Sequence, residues 1–332
     1  MKPLKYGVGI VLGLVVVGFI ALVGVSGTGV VTKVGALTGQ SNAAAPPTTW
    51  QQVFARPVAL SLTGFVTGEV LAGPGILIDP DRQGVPAEYQ EKIWVPSVAY
   101  LLKHPSGKNL VFDAGVKPGD CGYRVIIVVS VPCRNRPSAD AVSQLGALGI
   151  DRIDFLMVSH FHGDHASGLE QMIARFDPVL LTLNGELESA LAWTRELRGY
   201  KSAHLQADMR AQTIDGQLRD MPILGPVADI FGDGSVWLIP TPGHTAGHLS
   251  ALINAASGPI LLTFDAAHLE ATYDHEAPGT LGATESARTA SLESIARLKA
   301  FAEAHSSVQL IFGHEPSQWP AVGEAHHLSG QS

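Results

Sequence analysis

The feature that most constrains this chain is the run His160-Phe161-His162-Gly163-Asp164-His165, which sets four metal-binding side chains directly behind the apolar stretch 153–159. Imidazole and carboxylate are natural ligands for a borderline cation such as Zn²⁺. Where the apolar stretch ends as a strand, alternation lets His160 and His162 face the same way and share one ion. Gly163 then turns the chain, so that Asp164 and His165 address a second ion a few ångströms away. The plain alternative is a polar loop in which Asp164 caps the following helix. It accounts for one such residue, not for four at this spacing.

Later positions repeat the arrangement. Thr241-Pro242-Gly243-His244-Thr245-Ala246-Gly247-His248 follows the apolar segment 236–239, Asp265 follows 259–264, and His314 follows 308–313. Each lies just beyond a short run rich in β-branched or aromatic residues, which reads as a buried strand. Loops at the ends of several strands are where a sheet scaffold carries a metal site. A lone histidine after a strand is more often a hydrogen-bonded structural residue, so the repetition carries the case.

H-x-H-x-D-H, then G-H-T-x-G-H, a later aspartate and a late G-H resemble, in that order, the metallo-β-lactamase-fold hydrolases over residues 58–319. The resemblance implies an α/β chain folded as an αβ/βα sandwich, with two mixed sheets face to face, helices outside and metals at one edge. It implies that His160, His162 and His244 hold one divalent ion and that Asp164, His165 and His314 hold another. Asp265 would bridge the two, and Zn²⁺ is the expected metal. His248 then matches a supporting position, not a ligand. Asp113, in Asp113-Ala114-Gly115, matches a group that lies near the ligands; a turn aspartate before glycine is the alternative.

Phe264-Asp265-Ala266-Ala267-His268, the 241–250 segment and Ile311-Phe312-Gly313-His314-Glu315 look similar in particular to the N-acyl-homoserine lactonases. Those enzymes commonly carry a tyrosine three residues after the bridging aspartate. Here that position is His268, whose charge state and reach differ. Asp164 and His268 are the candidate catalytic residues, His268 as a hydrogen-bond donor to a lactone carbonyl.

Two divalent ions about 3.5–4 Å apart lower the pKa of a shared water towards neutrality, so a bridging hydroxide attacks without a nucleophilic serine. The chain has no G-x-S-x-G elbow to supply one. The expected reaction is metal-assisted hydrolysis of a small-molecule ester, foremost the ring of an N-acyl-homoserine lactone, which amounts to quorum quenching. A glyoxalase II-like thioesterase shares the ligand set; its glutathione site needs basic residues, for which Arg288, Arg297 and Lys299 are the candidates. A β-lactamase fits a bridging Asp265 less well. From another class, the same ligands can hold a redox metal pair, normally beside a flavin domain for which this chain leaves no room, or form a non-catalytic ectodomain.

With 46% hydrophobic and 16% charged residues among 332, the chain can bury a large core without repeats. A net charge of −8 and the lack of any Lys/Arg cluster argue against a nucleic-acid surface. A homodimer is compatible with this composition. Residues 7–25 are almost wholly apolar and follow Lys2 and Lys5. Such a run is about 29 Å long as a helix, enough to cross a bilayer with its N-terminus in the cytoplasm. A cleaved signal peptide competes, but its apolar region is shorter and its small-residue site closer than Ala43-Ala44-Ala45. The expected organisation is therefore an anchor or signal segment over 1–34, a flexible linker over 35–50, and a hydrolase domain over 51–332 outside the cytoplasm, or secreted if the segment is cleaved. There Cys121 and Cys133 can close a disulfide worth about 3 kcal/mol at this loop size; two buried thiols are the alternative.

Residues 58–66, 93–102 and 109–113 read as strands, and 138–148, 186–198 and 284–304 as helices. The second helix is expected to bury Leu187, Leu191 and Trp193 or Thr194. The third is expected to bury Leu292, Ile295, Ala296, Leu298 and Phe301. The segment 199–234 is irregular and is placed near the active site. His204, His275, His305, His326 and His327 read as surface residues.

Overall fold

The computed structural model describes residues 29–34, 46–119, 123–125 and 129–328. The expected anchor over 7–25, most of the linker and Cys121 lie outside the described residues. Among the described residues no helix is long and apolar enough to cross a membrane. Cys133 is disulfide-bonded.

The first part of the chain forms strands β1 (Val31–Lys33), β2 (Ser61–Ala72), β3 (Ile93–Lys103) and β4 (Asn109–Phe112). A hairpin of β5 (Tyr123–Val125) and β6 (Val129–Val131) and the short β7 (Cys133–Arg134) follow, then β8 (Phe155–Met157), β9 (Val179–Thr182) and β10 (Met209–Thr213). The second part contributes β11 (Arg219–Met221), β12 (Gly225–Asp229), β13 (Val236–Pro240), β14 (Leu249–Ala255), β15 (Gly258–Phe264) and β16 (Gln309–Phe312); β17 (Ala325–Leu328) returns to the first sheet. One sheet runs β1-β10-β9-β8-β4-β3-β2-β17, with β7 also on β2, and the other runs β11-β12-β13-β14-β15-β16. Both are mixed: in the first β8 is parallel to β4 and β9 while β3 is antiparallel to β2 and β4, and in the second β15 is antiparallel to β14 and parallel to β16.

Strand alternation assigns the faces. Val236 and Leu238 of β13 join Val98, Tyr100 and Leu102 of β3 in the core between the sheets. Trp237 and Ile239, one residue out of step, meet Trp50, Leu298 and Phe301 on the outer face of the second sheet. Ala99 and Leu101 likewise turn to the outer face of the first sheet, against Leu145, Leu169, Met172 and Leu187. Burial on both faces is why these strands read as continuous apolar runs without polar alternation. The result is the expected αβ/βα sandwich. Helices α1 (Trp50–Phe54) and α7 (Glu285–Ala304) cover one side, and α2 (Ala141–Ala147), α4 (Leu169–Phe176) and α5 (Asn184–Leu191) cover the other. Two shorter helices, α3 (Gly163–Ala166) and α6 (Glu270–Asp274), belong to the site edge.

Several expectations need correction. The segment 29–34, assigned to the N-terminal region, in part forms β1, an edge strand parallel to β10 with Val31 opposite Met209 and Lys33 opposite Ala211. Strand β2 runs to Ala72, beyond 66, because its paired partner β3 is as long. Helix α2 starts only at Ala141, with Asp140 as its cap accepting from the Ser143 N–H. Helix α5 stops at Leu191, before a separate 3₁₀ turn, Arg195–Arg198, so Trp193 stands 72% exposed instead of inward. Along α7, Ala296 faces solvent while Ser291 and Ser294 are buried against the loop that carries His244. His204 is buried, not on the surface.

Candidate metal centre

All seven predicted ligands meet at one edge of the sandwich. Beyond β8 the chain passes a bend at Ser159, then His160, and reaches His162, whose extended backbone occupies the cap position of α3 without a side-chain cap bond. Asp164 and His165 fall in the single turn of α3, so Asp164 does not cap this helix. The split is therefore two histidines ahead of the helix and a carboxylate and histidine on a helical turn. His244 leaves the turn after β13, where Gly243 has φ 137° and a Cβ would come 2.3 Å from the Ser291 N on α7. Asp265 follows β15 through Phe264 at φ 46°, a left-handed conformation that an aromatic residue adopts only under constraint. His314 follows β16.

Two overlapping groups result. Nε2 of His244 lies 3.1 Å from Nε2 of His160 and 3.0 Å from Nδ1 of His162. Nε2 of His165 lies 3.4 Å from Nε2 of His314, and that atom lies 3.6 Å from Oδ2 of Asp164. Asp265 stands between them. Its Oδ2 is 3.3 Å from His244 and 3.6 Å from His160, and its Oδ1 is 3.2 Å from both His165 and His314. Tetrahedral ligands at zinc–nitrogen distances of about 2.0–2.1 Å sit roughly 3.3 Å apart, so the spacing matches a shared ion.

The outward-facing nitrogens determine which atoms face the centre. His165 Nδ1 is 2.8 Å from Asp113 Oδ2, His314 Nδ1 is 2.7 Å from the Pro96 carbonyl, and His162 Nε2 is 3.0 Å from the Arg198 carbonyl. Each acceptor fixes the N–H outward and turns a lone pair inward, the usual support for metal-bound histidine. Asp113, at φ 57°, also accepts from the Ser159 N–H and hydroxyl, so it orients a ligand and is no simple turn residue. His248 does not face the cluster: its Nε2 accepts the Asp265 N–H at 3.1 Å while Nδ1 meets the Thr241 hydroxyl at 2.8 Å. Oδ1 of Asp265 is buried and, among the described residues, lies 3.2 Å from the inward nitrogens of two histidines. Lone pairs meeting at this distance call for a cation between them.

Burial, followed by the neighbouring histidines, holds His160 well below the usual imidazole range. Burial also depresses His244, against the pull of Asp265. On His165 burial works the same way but is outweighed by Asp265, Asp113 and Asp164, which raise it. Asp265 is desolvated yet held well below the carboxylate range by His165, His314, His268 and His244. The cluster is a concentrated exchange of one carboxylate among several imidazoles. Solvent reaches it past His244, whose side chain is 18% exposed while that of His160 is fully buried.

His268 joins the cluster. Its Nε2 is 3.3 Å from Asp265 Oδ2, its ring centroid is 4.8 Å from that of His244, and its buried Nδ1 has no hydrogen-bond partner among the described residues. Sequence reasoning missed Glu186, Tyr200, Thr241 and the Pro96 carbonyl. An acid at a helix start reads as a first-turn residue, and a backbone acceptor leaves no mark in the sequence.

The family model of the metallo-β-lactamase superfamily matches residues 93–314. An N-acyl homoserine lactonase, AttM, of Azorhizobium caulinodans is 30% identical over 257 residues, covering 74% of this chain and 89% of the relative. AttM of Agrobacterium fabrum is 30% identical over 250 residues, covering 72% and 87%. Among solved structures, Bacillus thuringiensis AiiA with N-decanoyl-L-homoserine bound at its active site superposes with a TM-score of 0.62 at 21% identity, covering 81% of this chain and 100% of that one. The dizinc lactonase AidC superposes with 0.53 at 16%, covering 79% and 90%.

Proposed function

The chain belongs to the metallo-β-lactamase superfamily, as a metal-dependent hydrolase homologous to N-acyl homoserine lactonases, and from that premise we propose that it opens the lactone ring of N-acyl-homoserine lactones at a pair of Zn²⁺ ions. The observation that carries this reading is the single carboxylate, Asp265, standing between two groups of inward-facing imidazoles. His160, His162 and His244 would hold one ion, and Asp164, His165 and His314 the other. Bound there, the pair would supply Lewis acidity and a water acidified to near-neutral pKa. The chain's own residues do the rest. Asp265 sets the separation of the two groups, and its N–H is anchored by His248. Asp113 and the Pro96 carbonyl aim His165 and His314. His268, whose Nε2 lies 3.3 Å from Asp265 Oδ2, would donate a hydrogen bond to the lactone carbonyl as charge develops on it.

Against the thioesterase reading, its basic candidates make contacts of their own. Arg297 spends its guanidinium on the Leu224 and Pro240 carbonyls, Arg288 pairs with Asp79, and Lys299 binds the Asp274 carbonyl. We further propose that residues 7–25 anchor the chain with its body outside the cytoplasm. Strand β1 supports retention of that segment, since cleavage after Ala45 would remove it.

The deciding experiment loads purified protein with Zn²⁺, counts bound metal, and assays a medium-chain acyl-homoserine lactone, a glutathione thioester and a β-lactam side by side. About two ions per chain and preferential lactone turnover are expected. No bound metal in a folded protein would falsify the centre, and thioester preference would overturn the substrate assignment.

A further inference from the structure

We propose that Glu186 is a positioning residue that locks the His160–His162–His244 group by stapling its two loops together, an inference that rests on the dimetal reading above. Glu186 lies in the first turn of α5 and is completely buried. Its Oε1 accepts the N–H of Phe161, the residue between His160 and His162, at 3.0 Å. Its Oε2 accepts the hydroxyl of Thr245 at 2.6 Å and the N–H of Gly247 at 3.2 Å, one and three residues after His244. Tyr200 adds a further hydrogen bond, and its ring lies 5.4 Å from that of His162.

A charge removed from water persists only where such donors compensate it, and here they come from the loops of one ligand group. His165 and His314 of the other group are aimed instead by Asp113 and the Pro96 carbonyl. The staple also explains Gly247 of the G-H-T-x-G-H motif: a Cβ there would come 2.3 Å from the Glu186 backbone nitrogen. Among the described residues, the hydrogen-bond partners of Glu186 are Phe161, Thr245, Gly247 and Tyr200 and include no predicted ligand side chain. Its effect is on where His160, His162 and His244 stand relative to one another.

The test measures Zn²⁺ affinity of both sites by competition with a chromophoric chelator, in wild type and in Glu186→Gln. The amide keeps the size of the side chain but has one accepting oxygen and turns an N–H₂ towards a donor. Loss of an outer partner typically weakens metal affinity about 10–100-fold, and here that loss is expected at one of the two ions while the other is retained. Thr245→Val, a smaller change, is expected to weaken the same ion less, and Thr245→Ser to restore it. The Thr245 pair keeps the proposal testable where Glu186→Gln fails to fold. Wild-type affinity at both sites in Glu186→Gln and Thr245→Val, or equal weakening of both ions, overturns the staple alone. A wild-type chain that binds no metal overturns the staple together with the dimetal reading.

Discussion

At the scale of single residues, the centre is built where the backbone is under constraint. Phe264 and Asp113 both adopt positive φ, at the points where Asp265 leaves its strand and where His165 finds its acceptor. Replacing Asp265 by Ala would remove the proposed bridge without touching the sheets, so lactone hydrolysis is expected to vanish while circular dichroism stays native. Near-wild-type turnover would show that the bridge is assigned to the wrong residue. His268 tests the substrate contact. His268→Ala is expected to lower kcat by about 10²-fold or less, because a bound metal already carries much of the charge on the oxyanion, with little change in KM. His268→Tyr is expected to retain turnover; identical kinetics for all three proteins would remove His268 from the mechanism. His248 makes a different prediction. Burial holds its pKa at about 3, against 6.5 for a free imidazole. Below pH 6.5 the unfolded chain takes up a proton that the folded chain refuses, so this group costs stability as pH falls from about 6.5 towards 3. His248→Gln is expected to show a shallower fall of Tm between pH 6.5 and 4 than wild type, measured by scanning calorimetry.

Elements explain which sequence readings held and which did not. The span of α7 was legible to within a residue because a long helical pattern is a local signal; Thr284, read as its first residue, is its cap, and the hydroxyl accepts the Ala287 N–H. The buried face of α7 was only partly legible. Ser294 is inside because it donates to the Pro242 carbonyl, and Ser291 because Gly243 packs on its backbone. Both contacts join residues about fifty positions apart and carry no helical periodicity. Trp193 was misplaced for a related reason, since α5 ends early and the 3₁₀ turn behind it delivers the Arg198 carbonyl to His162. Strand β1 gives the prediction at this scale. A chain starting at Gly29 is expected to be more stable than one starting at Gly35 by about 1–2 kcal/mol, given about 0.5–1.5 kcal/mol net for each ladder hydrogen bond and partial exposure of this edge. The corresponding loss of Tm is a few degrees, about 2–4 °C per kcal/mol in a domain of this size. Equal melting of the two chains would show that β1 contributes nothing to the body.

Across the whole molecule, the two sheets bring together strand ends that lie far apart in the chain: His160 follows β8 in the first sheet, while Asp265 and His314 follow β15 and β16 in the second. Metal bound across that junction stabilises only the folded state. At free Zn²⁺ about one hundred times the dissociation constant, the linkage is worth about 2.7 kcal/mol, or roughly 5–10 °C in Tm. A strong chelator is therefore expected to lower Tm by that order without unfolding the protein at 25 °C, because the three large apolar clusters do not contain the ligands. Unfolding on chelation at that temperature would make the metals part of the core and not only of the site.

The sequence by itself determined which predicted ligands the chain offers and in what order, because each motif is local: a strand, its end, and a donor within a few residues. It also determined the strand-and-helix alternation, through apolar runs whose length reflects burial on both faces. Only the tertiary structure decided how those donors are aimed. The acceptors that orient them are backbone carbonyls and buried side chains from distant segments, Pro96, Arg198, Asp113 and Glu186 among them. A hydrogen bond between residues far apart in sequence depends on where the sheets bring them, and no local pattern encodes that.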